Sequence, residues 1–178
     1  MACRRSLTVA AVALALLIGA ACSRRGLHGA VVVDPDVKQD VSALAGLKVY
    51  FGHMSLGYNI IDGLKALLHE SGDDRLNIVE FGKVGTLPAT YFLHSEVGVN
   101  GQPQTKHQGL AEVLRKLSPE RVDIAFCKFC YIDFSPSSDV ERILSDYAWQ
   151  MEDLKHAYPG TTFLHVTVPL MNLPWSAT

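Results

Sequence analysis

Ser55 lies where a short apolar run, Lys48-Val-Tyr-Phe-Gly-His-Met54, gives way to a segment of helical spacing. A serine at a strand-to-helix turn holds its hydroxyl outside the sheet edge, with its backbone N–H beside the positive end of the helix dipole, where a developing oxyanion is stabilised. That placement suits a nucleophile in acyl transfer. It also suits plain helix capping, since serine is among the preferred N-cap residues. His53, two residues earlier on an extended segment, shares a strand face with Ser55 in this reading and is the only local histidine able to serve as a base. Its alternative is a hydrogen-bonded structural residue beside the turn. His69, His94, His107 and His165 show no metal-like spacing to carboxylates or cysteines, so neither a metal site nor a cofactor is expected.

Two other constellations compete for chemical roles. Cys127-Lys-Phe-Cys130 has redox or half-zinc spacing. Redox pairs of this type open a helix, whereas these cysteines fall in an apolar strand, where residues three apart face opposite sides. No second pair completes a zinc site, so buried free thiols are expected. Lys128, set in the same apolar run, needs a buried partner, and Asp133 or Asp123 is available. An Asp-x-x-His occurs at Asp153 to His156, but inside a helical segment, where it forms a solvated i,i+3 pair.

Positioning elements begin after a targeting segment. Arg4 and Arg5 precede an apolar stretch from Leu7 to Ile18, too short to span a bilayer core, which ends in Gly19-Ala20-Ala21 before Cys22. This resembles a bacterial lipoprotein signal and implies lipidation at Cys22, with simple cleavage near Ala21 as the alternative. Either outcome exports the protein to the cell envelope or beyond, and an anchor at Cys22 would make the membrane a partner. Residues 1–21 are then signal peptide, 22–46 a tether, and 47–178 the folded domain. With 178 residues, 48% hydrophobic content and a net charge of -2, the chain is long enough for one ordinary core and has no electrostatic case for nucleic acid.

Past the tether, short β-rich runs alternate with helical patterns, which predicts an α/β domain with a mostly parallel sheet. A strand is expected at Leu47–Phe51 and a helix carrying Leu56, Ile60, Ile61, Leu64, Leu67 and Leu68 on one face, ended by Gly72. A second strand follows at Leu76–Phe81. Residues 82–106, rich in Gly and Pro, read as a long connection before a helix with Leu110, Val113, Leu114 and Leu117. A third strand spans Val122–Ile132. The last helix opens with a Ser138/Glu141 capping box and carries Val140, Ile143, Leu144, Tyr147, Met151 and Leu154, before a strand at Thr161–Val168.

This order of elements, opened by Phe51-Gly-His-Met-Ser55-Leu-Gly57, resembles the SGNH (GDSL-like) hydrolases, flavodoxin-like three-layer α/β esterases and acyl hydrolases. The resemblance covers about Leu47 to Leu170. It makes Ser55 the candidate nucleophile, and it implies an exported acyl or acetyl esterase acting on a small-molecule or glycan ester. Gly85, after the second strand, matches the family's glycine donor to the oxyanion hole. Where the family places Gly-x-Asn-Asp after the third strand, this chain has Lys128-Phe-Cys-Tyr-Ile-Asp133, so Tyr131 becomes the substitute donor through its hydroxyl. The family's Asp-x-x-His follows the last strand, and the expectation is that this base, with a further helix and strand, lies beyond Thr178. The alternative function is a non-catalytic envelope domain that keeps the fold to bind carbohydrate or protein.

Overall fold

The computed structural model describes residues 35–118 and 121–168. Cys22, the signal segment and residues 169–178 lie outside the described residues. Helix α1 is Pro35–Leu44, β1 Lys48–His53, α2 Leu56–Ser71, β2 Ile78–Glu80, β3 Tyr91–Glu96, α3 Gln104–Leu117, β4 Ile124–Cys127, α4 Val140–Ala157 and β5 Thr162–Phe163, with a 3-10 turn at Tyr131–Asp133. The five strands form one sheet in the order β2-β3-β1-β4-β5, and every pairing is parallel. The expected three-layer α/β architecture is therefore present.

Strand alternation assigns the two faces. Val49, Phe51, Phe92, Ile124 and Phe126 pack with α1 and α2 residues Val41, Leu44, Ile61, Leu64 and Leu68. Tyr50, Tyr91, Leu93, Ala125 and Cys127 pack with Leu110, Val113, Leu114 and Leu117 of α3 and with Met151 and Leu154 of α4. The crossover after β1 runs one way along the sheet, and those after β3 and β4 run the other. Right-handed crossovers of opposite direction lie on opposite faces, which puts α2 on one face and α3 and α4 on the other among the described residues. Connections diverge between β1 and β4, so their carboxyl ends flank the kind of crevice in which open α/β sheets place ligands.

Four expectations need correction. The stretch read as a tether contains α1, whose Val41 and Leu44 are buried, so the folded body begins before residue 47. The stretch read as a connection contains β3, which hydrogen-bonds between β2 and β1. Its Tyr91-Phe-Leu run is apolar on both faces, as a strand covered on both sides requires. The third expected strand ends at Cys127 rather than Ile132, because Asp133 accepts from Cys130 N at 2.7 Å and turns the chain. Finally, α4 is capped by Asp139, which accepts from Arg142 N at 3.0 Å, while Ser138 accepts from Ser135 N. The apolar stripe of α4 is buried at Met151 and Leu154 but exposed at Val140 and Leu144. β5 ends at Phe163.

Candidate functional site

Ser55 stands at the N-cap position of α2, just beyond the carboxyl end of the central strand β1. Its side chain is exposed and makes no capping hydrogen bond. Its carbonyl accepts from Tyr58 N at 3.0 Å, and Met54 O accepts from Gly57 N at 2.7 Å, so the first turn is closed by backbone alone. The hydroxyl thus has no capping task where the connections of the described strands diverge.

His53 does not share a surface with it. Parity puts His53 on the α2 face of β1, two residues above Phe51, and the imidazole is fully buried beneath the first turn of that helix. A Cβ on Gly57 would overlap the His53 Cβ, Cγ and Nδ1, so glycine is required at that position for the ring to fit. The His53 Nε2 lies 3.0 Å from His94 Nδ1, the rings stack at 5.2 Å, and Tyr58 stands edge-on to both. One imidazole donates and the other accepts. Burial, followed by the neighbouring His94 and Lys128, lowers the His53 pKa to about 4, and burial lowers that of His94. Both rings are neutral at pH 7.

Lys128 completes this polar layer. It follows β4 on the same face as Phe126, and its N–H continues the ladder by donating to Gly52 O at 3.2 Å. Phe51, Phe92 and Phe126 form the aromatic layer beneath, with Phe51 and Phe126 stacked at 4.7 Å. Neither Asp133 nor Asp123 pairs with Lys128, as the sequence suggested. Asp123 accepts from Lys48 N and faces Arg121. The Lys128 Nζ instead lies 3.5 Å from Cys130 Sγ.

Asp133 holds the turn after β4. One oxygen accepts from Cys130 N, and the other accepts from Gly101 N at 2.9 Å and lies 3.9 Å from Lys106 Nζ. Lys106, fully buried in the first turns of α3, also donates to Asn100 Oδ1 at 3.0 Å. This network ties the loop after β3 to the turn after β4. Gly98, at φ 70 and pressed against Thr105, allows that loop to fold back onto α3. Lys106, Asp133 and His94 were invisible as a site from sequence. The available signal was Tyr91-Phe-Leu-His94 itself, an apolar run ending in histidine.

The remaining candidates are scattered. Gly85 is exposed in the β2–β3 connection, with open space where a Cβ would stand. Tyr131 opens the 3-10 turn and is 40% exposed. Asp153 and His156 are exposed on α4. Cys127 and Cys130 are free and buried, and burial pushes the Cys127 thiol up to about 12. Cys130 lies in the turn after β4 rather than in the strand. A cleft of about 350 Å³ opens beside the carboxyl ends of β2 and β3, lined by Glu80, Ser95, Glu96 and Glu112, and excludes Ser55. Among the described residues no three His, Cys, Asp or Glu side chains gather as metal ligands. No protein-family model, curated protein or solved structure matches this chain.

Proposed function

We propose that the chain is an exported serine ester hydrolase of SGNH type, with Ser55 as the nucleophile and an acyl or acetyl ester as substrate. The observation that carries this reading is an exposed serine hydroxyl without a capping role, at the N-terminus of α2 and the carboxyl end of the central strand. In the proposed reaction Ser55 Oγ gives its proton to a base and attacks the ester carbonyl. The backbone N–H groups of Ser55 and Leu56, which precede the amides that close the first turn of α2, then face the oxyanion. His53 is a poor base for this step, because it is closed beneath α2 and hydrogen-bonded to His94. The base is assigned to a histidine outside the described residues, as the family resemblance implies. Anchoring through a lipid on Cys22 would hold the domain at the cell envelope.

A fluorophosphonate probe tests the assignment. The full-length protein should label covalently, and Ser55→Ala should not, while unfolding at the same temperature as the parent. The second reading, an envelope domain that binds glycan or protein, is favoured by the engagement of His53 with His94. Folded, full-length protein that never labels would select it.

A further inference from the structure

We propose that Lys128 and Cys130 form a site of oxidative cross-linking, in which peroxide joins the lysine nitrogen to the cysteine sulfur through one bridging oxygen. This inference is independent of the esterase reading. Lys128 is 2% exposed and Cys130 1%. The Lys128 Nζ meets Sγ at 3.5 Å, with no carboxylate at ion-pair distance among the described residues. A buried ammonium normally acquires an anionic partner. The neighbouring carboxylate, Asp133, is engaged instead with Lys106 and the amides of Gly101 and Cys130. Those bonds also hold the turn that carries the thiol beside the nitrogen, so that a small movement of the lysine side chain closes the 3.5 Å gap to the span of one bridging oxygen. Tyr131 and Ile132, next in the chain, are 40% and 54% exposed, so the turn that carries the thiol lies at the protein surface. Cys127 packs on the other face of the sheet, against α3 and α4, and does not compete for the lysine.

The chemistry balances with hydrogen peroxide as oxidant. A first peroxide converts the thiol to a sulfenic acid, forming S–O, breaking O–O and releasing water. After the ammonium gives up its proton to solvent, a second peroxide takes two electrons as N–O forms at the expense of one N–H and the sulfenic O–H. In sum, R–NH2 and R'–SH with two H2O2 give R–NH–O–S–R' and three H2O. Dithiothreitol reverses the link by reducing it to amine and thiol.

The test is non-reducing tryptic mapping of the full-length protein after peroxide treatment. Trypsin cuts the untreated chain after Lys128, separating Val122–Lys128 from Phe129–Arg142. The linked form resists that cut and appears as one peptide, 122–142, about 14 Da heavier than its sequence. Cys127→Ala should preserve it, whereas Lys128→Arg and Cys130→Ser should abolish it. A Cys130 sulfinic acid with normal cleavage after Lys128 would overturn the proposal. So would a Cys127–Cys130 disulfide holding two cut peptides, or an unmodified pair under peroxide that oxidises the urea-unfolded chain.

Discussion

The neutral imidazole pair beneath α2 makes stability depend on pH in a defined direction. In the unfolded chain His53 takes up its proton near pH 6.5, whereas in the folded protein burial and the nearby His94 and Lys128 delay this to about 4. Between those values the unfolded state holds more protons, so stability is complete above pH 6.5 and is lost as pH falls to 4. At about 1.4 kcal/mol per decade, the full loss below pH 4 is about 3 kcal/mol, of which about 2 has gone by pH 5. For a urea slope of about 2 kcal/mol per molar, that moves the unfolding midpoint down by about 1 M between pH 7.5 and pH 5. His94 and His107, shifted the same way by burial, add in the same sense. His53→Gln should have a visibly shallower pH dependence over this range. Parallel curves for the parent and His53→Gln would refute the assignment of the proton linkage to this ring.

Three further outcomes follow from packing. Gly57→Ala would ordinarily help a helix, but the new Cβ meets the buried His53 ring. A net loss of about 1–3 kcal/mol in chemical denaturation is expected, and a gain would show that the ring can move aside. Asp133→Ala removes the acceptor for Cys130 N and Gly101 N and strands the buried Lys106 with Asn100 alone, costing about 3–5 kcal/mol. Adding Lys106→Met should recover part of that in thermal melts. Ser55→Ala should leave the unfolding free energy from urea denaturation within about 0.5 kcal/mol of the parent, because the hydroxyl is exposed and caps nothing.

Elements whose signal is local were legible without the structure. The apolar face of α2 and its stop at Gly72, which adopts φ 69, follow from 3.6-residue spacing and from the need for a left-handed residue at the helix end. The four leucine and valine positions of α3 are all buried as their spacing predicts. Ser55 falls at the strand-to-helix junction because the apolar run and the helical period meet there. The strand β3 was hidden because Gly and Pro on either side of Tyr91–Glu96 outweighed a six-residue run whose burial on both faces leaves no alternation.

What only the tertiary structure decided is which buried polar groups meet. His53 and His94 are 41 residues apart and touch because β3 inserts beside β1 in a register that sets Phe51 opposite His94. Lys106 finds Asp133, and Lys128 is left to Cys130, because the loop after β3 reaches the turn after β4. Sequence spacing fixes the face on which a side chain stands, since that depends on the backbone period alone. It cannot fix a partner across strands, because strand order and register arise from burying the whole sheet at once.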